Sequence, residues 1–432
     1  MSTPTSWGNL PHTTATLLPV NRRKAAFPAV EDKVLPYGLG RSYGDSCLND
    51  KGTLLLTRGM DRWISFDEET GIICCEAGVS LDEILRLASP KGWFLPVTPG
   101  TRFVTVGGAI ANDVHGKNHH KAGSFSTCVL DFELLRSDQS RTLCSRSKNA
   151  SLFHATIAGL GLTGLITFAT LQLRRIVSPM IEVEQIRMHH LNDFFRLADE
   201  SNHSHEYTVA WIDGLARGES VGSGIFIRGN HASEASDLSW KAKKTAAIPL
   251  NAPSWLLQKQ SVKIFNALYS KKVKGERQAG SEHFLPFFYP LDAVDNWNRL
   301  YGKRGFYQYQ CVVPRDGNRG PIHEILDRIA NSGQASFLAV LKVFGDQKPE
   351  GLLSFARAGV TLAMDFPNRG PKTLKLMNEL DEVVRQAGGA LYPAKDARMN
   401  PEDFKMAYPA LNTFTEKIDP AFSSSFWRRM HT

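Results

Sequence analysis

Three glycine-rich segments constrain what this 432-residue chain can fold into more than any other feature. They are PYGLGRSYGDS at 36–46, TPGTRFVTVGGAIANDVHGKNHHKAGSF at 98–125 and GLGLTG at 159–164. Glycine accepts left-handed backbone angles and lets main-chain N–H groups come close to a bound anion. The segments 36–46 and 159–164, each taken alone, are also explained by tight turns. Together, the three segments indicate an extended ligand such as a dinucleotide rather than a single phosphate group.

The order of elements around these segments argues against the ordinary Rossmann arrangement. A Rossmann loop leaves a strand and opens a helix, whose first turn holds the pyrophosphate. The first segment has glycines at 38, 40 and 44, and no helical pattern follows it. In the third segment, the helix-like SLFHATIA comes before the glycines and the strand-like LITFATLQL comes after them. The chain therefore needs another way of holding a dinucleotide.

The remaining pattern predicts an α+β fold, and the length predicts two or three domains. Strand-like runs such as TLLLTR, GIICCEAGV and GFYQYQCVV are mixed with helical patterns, but the two do not alternate strictly. Among the helices, SLDEILRLAS carries a capping box formed by Ser80 and Glu83. The six cysteines are scattered without a CxxC pair. That pattern fits neither a zinc site nor a secreted disulfide framework and favours the reducing cytoplasm.

The formal net charge of +8 favours anionic partners. Its densest concentration is the segment 241–277, where nine lysines and arginines accompany a single acid, Glu276. The apolar residues between them are Trp255, Leu256, Leu257, Val262, Ile264, Phe265 and Leu268. This mixture is typical of a segment that lies on an anionic membrane surface. A helical insertion docked on its own domain, with a solvated basic face, explains it equally well. No nucleic-acid-binding motif accompanies the charge, so we expect no nucleic-acid partner.

Motifs spread over nearly the whole chain carry a family resemblance. They are, in chain order, GLGRSYGDS, TPGTRFVTVGGAIANDVHGKNHHKAGSF, GLGLTGLIT, YTVAWIDGLARG, FYPLD, WNRLYG, QYQ, MDFP and YPAKDARM. With this ordered set, the chain resembles the FAD-containing oxidase subunits of decaprenylphosphoryl-β-D-ribose 2′-epimerases, flavoproteins of the vanillyl-alcohol-oxidase type. The resemblance implies a two-domain PCMH-type FAD-binding fold. Its FAD-binding domain would comprise 1–178 and 391–432, and 179–390 would form an antiparallel-sheet substrate domain.

The resemblance also implies which residues hold FAD. The first glycine-rich segment would wrap the diphosphate, helped by parts of the second, while Ile166 and Tyr392 would flank the cofactor. The cofactor-binding residues implied in this way are Pro36, Tyr37, Gly38, Leu39, Gly40, Arg41, Ser42, Tyr43, Gly44, Asp45, Ser46, Gly100, Thr105, Val106, Gly107, Gly108, Asn112, Asp113, Val114, His115, Ile166 and Tyr392. Many relatives attach the flavin through a histidine in the first segment. Here that segment has Arg41 and Tyr43 and no histidine, so we expect non-covalent FAD.

Oxidation of an alcohol through a flavin needs a hydride acceptor and a group that takes the hydroxyl proton. Lys395 matches the family's essential lysine, which would act as the base or hold the alkoxide. His115 would be a second proton acceptor or a hydrogen-bond partner. A surface lysine paired with Asp396 is the other interpretation of Lys395.

Two more histidines, His119 and His120, follow His115, and this H-x3-H-H spacing could suggest a zinc site. Gly116 and Asn118 interrupt the helix that such a spacing requires, and no acid or cysteine completes the set. We therefore expect no metal, and a structural role for both histidines or a place near the adenine.

Three further residues would bind the substrate alongside Lys395. Gln308 and Gln310 point to the same face of a strand, as the period of two demands, and could hydrogen-bond sugar hydroxyls. Lys342 would neutralise the substrate phosphate. In the alternative interpretation these residues have no function. Gln308 and Gln310 would then belong to an exposed polar strand face, and Lys342 would be an ordinary surface lysine. Ala363 departs from the family, in which several members have a cysteine at this position, so we expect a pocket of different shape and reactivity.

The resemblance implies an FAD-dependent oxidoreductase acting on CH–OH groups. Its reaction would oxidise the 2′-hydroxyl of a polyprenylphosphoryl-β-D-ribose to the 2′-keto sugar. This is the first half of epimerisation to the arabinose form, an arabinan precursor in cell-wall biosynthesis. A separate short-chain reductase would complete it, and we expect a cytoplasmic protein with peripheral contact at the inner membrane face. Two alternatives stay open: an FAD-dependent oxidase or dehydrogenase of a soluble sugar, alditol or aldonolactone, and a non-catalytic FAD-bearing partner protein.

Overall fold

The computed structural model describes residues 4–240, 246–253, 259–315, 320–334 and 336–431. The strands in these ranges are β1 Thr16–Pro19, β2 Val34–Tyr37, β3 Thr53–Leu56, β4 Trp63–Asp67, β5 Ile72–Glu76, β6 Trp93–Phe94, β7 Val129–Leu135, β8 Arg141–Ser145, β9 Leu165–Gln172, β10 Arg174–Arg175, β11 Met180–Met188, β12 Tyr207–Ile212, β13 Gly224–His231, β14 Ala246–Ala247, β15 Arg277–His283, β16 Val294–Asp295, β17 Phe306–Val313, β18 Ala339–Phe344, β19 Gly359–Pro367 and β20 Ala390–Leu391. The α-helices are α1 Leu81–Ala88, α2 Val106–Ala111, α3 His119–Ala122, α4 Ala150–Thr156, α5 Leu191–Ser201, α6 Lys259–Ser270, α7 Phe284–Phe288, α8 Pro321–Ser332, α9 Pro371–Gln386, α10 Pro401–Ala407, α11 Leu411–Thr415 and α12 Ser425–Arg429.

An eight-stranded antiparallel sheet forms the wall on which the site is built. Its strand order is β15-β11-β13-β12-β18-β19-β17-β20. β17 pairs with β19 so that Gln308 lies opposite Asp365 and Gln310 lies opposite Ala363. Because side chains alternate along a strand, these four residues share one face of the sheet. Tyr309, between the two glutamines, points the other way and joins the apolar core with residues of α8 and α9.

Two smaller sheets carry the amino-terminal part of the chain. β1, β3 and β2 form a parallel sheet, and β4-β5-β9-β7-β8 is antiparallel. Helix α1 shares the apolar core of the antiparallel sheet, and its predicted capping box is confirmed. The Ser80 hydroxyl accepts from the Glu83 N–H, and the Glu83 carboxylate accepts from the Ser80 N–H. With sheets and helices mixed in this way, the predicted α+β class is confirmed as well.

The carboxyl-terminal tail returns to the first glycine-rich segment. The Tyr43 N–H donates to the Ala394 carbonyl at 2.9 Å. The guanidinium of Arg429 contacts Asp45 at 2.7 Å and Asp396 at 2.9 Å, which ties segment and tail together. The tail therefore packs against the first glycine-rich segment.

The basic segment 241–277 contains a helix with two different faces. α6 packs inward through Val262 and Asn266, which are almost fully buried. On its outer side, Ile264 and Leu268 are 62% and 65% exposed. The helix is therefore docked on its own domain, as one of the two interpretations above expects. Its outer face, however, is apolar as well as basic. Trp255, Leu256 and Leu257 lie outside the described residues. None of the helices in the described ranges combines the length and apolar character that a membrane crossing requires.

Candidate active site

A cavity lies between the glycine-rich segments and the polar face of the eight-stranded sheet. Its empty space amounts to ≈ 2240 Å³, including the part that is open to solvent. The predicted site residues that line it are Pro36, Gly38, Leu39, Gly40, Arg41, Ser42, Tyr43, Ser46, Gly100, Thr105, Gly107, Gly108, Asn112, Val114, His115, Ile166, Gln308, Gln310, Lys342, Tyr392 and Lys395. Ala363 lines it too. The cavity wall therefore combines glycine-rich main chain with lysine, glutamine and histidine side chains.

Five predicted cofactor-binding residues lie behind this wall: Tyr37, Gly44, Asp45, Val106 and Asp113. The Tyr37 hydroxyl donates to a carbonyl of the amino-terminal segment at 2.8 Å, and Asp45 is ion-paired with an arginine of the tail. Gly44 packs against the main chain of the tail, and Val106 is fully buried in the apolar core. Asp113 accepts from a serine hydroxyl at 2.6 Å. These residues hold the loops in place from behind the lining.

Two local features fit a dinucleotide with a diphosphate. Ser46 lines the cavity, and its buried hydroxyl has no hydrogen-bond partner within the described ranges. A buried polar group without a partner costs about 1–3 kcal/mol, which a phosphate oxygen would offset. A methyl group added at Gly100 would meet no protein atom within 4 Å, so the main chain there is open to a ligand. The residues present therefore fit FAD.

Lys395 lies in the cavity wall beside Tyr43. Its Nζ is 3.9 Å from the centroid of the Tyr43 ring, within the range of a cation–π contact. Burial lowers the pKa of Lys395 to about 8, and attraction by Asp365 opposes that shift. Asp396, the partner in the surface-lysine interpretation, is held by Arg429 instead. A substantial fraction of Lys395 is therefore a neutral amine near pH 8.

Asp365 is fully buried on β19, and its negative charge attracts Lys395. Its carboxylate accepts from Gln308 Nε2 at 2.7 Å and lies 3.4 Å from the Tyr301 hydroxyl. Burial raises the pKa of Asp365 to about 7, while the hydrogen bond from Gln308 and the charge of Lys395 act in the opposite direction. A carboxyl group of this kind changes its charge near neutral pH and alters the field at the lysine. Gln308 is buried here, so the exposed-strand interpretation is wrong.

His115 connects the second glutamine to Lys342. Its Nε2 lies 2.9 Å from Gln310 Nε2, and its Nδ1 lies 3.2 Å from Lys342 Nζ. Burial, and after it the nearby Lys342, lowers the pKa of His115 well below its ordinary value, so the imidazole is neutral. Burial lowers the pKa of Lys342 to about 7. Neither Gln310 nor Lys342 is an ordinary surface residue.

Lys117 is a cavity residue that the sequence reasoning missed. Its carbonyl accepts from the Thr208 N–H at 3.0 Å, and its Nζ lies 3.5 Å from the Phe288 carbonyl. Burial lowers the pKa of Lys117 to about 8. The sequence could have indicated Lys117, because it lies two residues after His115 in the same glycine-rich segment. Asp365 was missed because its coupling to a lysine depends on the pairing of β17 with β19.

His119 and His120 begin α3 and contact protein groups. The ring of His119 packs on Phe344 with centroids 4.4 Å apart, and His120 Nε2 lies 3.1 Å from the His205 carbonyl. Across the described part of the chain, no group of three His, Cys, Asp or Glu side chains is arranged to hold a metal ion.

The amino-acid sequence of this chain is similar to those of several known proteins. The model of the FAD binding domain family matches residues 25–145. Decaprenylphosphoryl-β-D-ribose oxidase of Mycolicibacterium smegmatis is 34% identical over 98% of this chain and 96% of its own length. An uncharacterized protein in the mprA 5′ region of Streptomyces coelicolor is 34% identical over 82% of this chain and 100% of its own length. L-gulonolactone oxidase of Mus musculus is 32% identical over 32% of this chain and 31% of its own length. The chain therefore binds FAD and belongs to the decaprenylphosphoryl-β-D-ribose oxidase family of FAD-dependent oxidoreductases.

Proposed function

We propose that the protein oxidises the 2′-hydroxyl of a polyprenylphosphoryl-β-D-ribose to the 2′-keto sugar. The observation that carries this proposal is the convergence of Lys395, Gln308 and Lys342 on a cavity whose loops fit FAD. Bound FAD would supply the hydride acceptor. The printed name of the Mycolicibacterium smegmatis relative gives this substrate class for that protein, which supports the same class here.

The side chains of the cavity would bind the sugar and move one proton. Lys395 would take the hydroxyl proton, because its lowered pKa provides a neutral amine near pH 8. Gln308 and Gln310 would orient the sugar through carboxamide hydrogen bonds. Their amides are held in place by Asp365 and His115, at 2.7 and 2.9 Å.

A panel of substrates tests the proposed substrate class. We expect the kcat/KM for polyprenylphosphoryl-β-D-ribose to exceed that for ribose, an alditol and an aldonolactone, with the 2′-keto sugar as product. Preferential turnover of a soluble sugar would instead establish the alternative reaction. The 2′-keto product needs reduction to become the arabinose form, so we also propose a separate short-chain reductase as the partner.

We propose that FAD is bound without a covalent tether. The segment 36–46 contains no histidine. A thiol in the cavity wall, Cys47, has a pKa that burial raises to about 12, so it stays protonated and weakly nucleophilic. Acid precipitation should therefore leave the yellow cofactor in the supernatant, measured by its absorbance. Flavin retained in the washed pellet would show a covalent bond.

We propose that the chain divides as the resemblance implies, with the FAD-binding domain at 1–178 plus 391–432 and the substrate domain at 179–390. Support comes from the large sheet, in which all strands except β20 lie within 179–390. β20, Ala390–Leu391, lies at the proposed boundary itself. Further support comes from the tail, which contacts the segment 36–46 through Arg429.

The outer face of α6 supports a peripheral membrane contact. Ile264 and Leu268 are one helical turn apart and exposed, and Lys263 beside them is exposed as well. Apolar side chains of such a face enter the membrane interface while lysines meet anionic headgroups. We therefore propose a cytoplasmic protein that rests with this face on the inner membrane surface.

Leu268→Glu should weaken binding to anionic vesicles about tenfold, because it removes an apolar contact and adds a repelled charge. Co-sedimentation with phosphatidylglycerol vesicles measures the bound fraction. Met406→Glu is the matched control, since Met406 on α10 is 64% exposed and Leu268 is 65% exposed. An equal loss of binding in both variants, or no loss in Leu268→Glu, would rule out α6 as the contact.

A further inference from the structure

Lys117 and Lys342 converge on one stretch of the cavity wall. Lys342 Nζ lies 3.4 Å from the carbonyl of Gly116, the residue before Lys117. The main chain of Lys117 is tied to β12 by the Thr208 N–H. β12 in turn pairs with β18, which carries Lys342. The same two strands therefore position both lysines.

The two lysines lack a carboxylate partner in the described part of the molecule. Lys117 is attracted by Glu282 but forms no ion pair with it, and burial outweighs that attraction. Lys342 meets the repulsion of Lys117 and Lys395. A cation that is taken out of water without a counter-ion is costly, so an anion entering this part of the cavity would stabilise the protonated form of both lysines.

We propose that Lys117 and Lys342 together form the subsite for the phosphate group of the substrate. The identity of that substrate rests on the proposed function, and Lys117 is the added phosphate-binding residue. Contact with His115 Nδ1 at 3.2 Å holds Lys342 in position, and the ring of Phe287, 5.6 Å from Lys117 Nζ, packs against Lys117. A neutral sugar would leave both cations unpaired, so the pair selects a glycosyl phosphate.

Calorimetric titration of the FAD-containing protein with sodium phosphate tests the subsite without any turnover. Sodium chloride at equal ionic strength is the reference. We expect saturable binding of one phosphate per chain, weakened about tenfold or more in Lys117→Met and in Lys342→Met, because each loses a charge-assisted hydrogen bond. Lys117→Arg keeps the charge and should retain binding. Lys348→Met is the matched control, since Lys348 is exposed and lies outside the cavity lining.

Two results would overturn this subsite: no phosphate binding by the unaltered protein, or unchanged affinity in Lys117→Met. With the lipid-linked sugar, Lys117→Met should raise KM about tenfold with kcat unchanged, since it removes binding rather than chemistry. A lowered kcat with unchanged KM would also overturn it. Phosphate binding that depends on Lys117, without oxidation of the lipid-linked sugar, would refute the proposed function alone.

Discussion

Lys395→Met should lower the rate of sugar oxidation by about 10²–10⁴-fold, the usual contribution of a general base. Methionine fills most of the space of the lysine stem but has no amine to take the hydroxyl proton. The rate is measured by anaerobic stopped-flow and expressed per bound FAD, which separates chemistry from cofactor retention. Lys405→Met is the control, because Lys405 is exposed on α10. A rate within about threefold of the unaltered protein would exclude Lys395 as the base.

The pH dependence of the oxidation rate is a second test of Lys395 as the base. Burial lowers its pKa to about 8, so the neutral amine becomes the main form as the pH rises through that value. We therefore expect the oxidation rate to increase up to about pH 8 and then to level off. In Lys395→Met this rise should be absent. If the variant keeps the rise, another group controls the proton transfer, and Asp365, with a pKa of about 7, is the candidate.

Gly44→Ala should reduce the free energy of unfolding by about 3 kcal/mol or more. The added methyl would overlap the carbonyl of Asp396 and lie 2.9 Å from the Cα of Ala397. Because both neighbours are main chain, the tail can make room only by moving away from the segment 36–46. That movement would weaken the Arg429 ion pairs and displace the loop that lines the FAD cavity. Thermal unfolding and the FAD content of the purified variant measure the two effects.

Gly280→Ala is the matched control for this substitution. Gly280 lies on the exposed edge strand β15, and a methyl group there would meet no atom within 4 Å. Its free energy of unfolding should stay within about 0.5 kcal/mol of the unaltered protein. Equal unfolding temperatures for Gly44→Ala and Gly280→Ala would mean that the tail does not pack against the loop as described.

Local patterns in the sequence were enough for the parts of the structure that depend on near neighbours. The capping box of α1 involves only Ser80 and Glu83, three residues apart. The period of two along a strand was enough to place Gln308 and Gln310 on one face. The α+β class followed from the same kind of signal, because it depends on which elements form rather than on their partners.

The site also depends on contacts between distant segments, which no local pattern encodes. Asp45 was predicted to contact the cofactor, yet Arg429, 384 positions away, holds it behind the cavity wall. Asp365 is coupled to the site through Gln308, 57 positions away on the neighbouring strand. Lys117 becomes a cavity residue because its main chain is tied to β12. Residue type and spacing predicted a dinucleotide, and the family resemblance identified it as FAD. Tertiary pairing decides which side chains face the cavity.

Anaerobic mixing of the purified FAD-containing protein with one equivalent of polyprenylphosphoryl-β-D-ribose tests the central claim most directly. We predict that the absorbance of oxidised flavin disappears and that an equal amount of 2′-keto sugar forms. A spectrum that stays oxidised, with the ribose recovered unchanged, would contradict the proposed oxidation at this site.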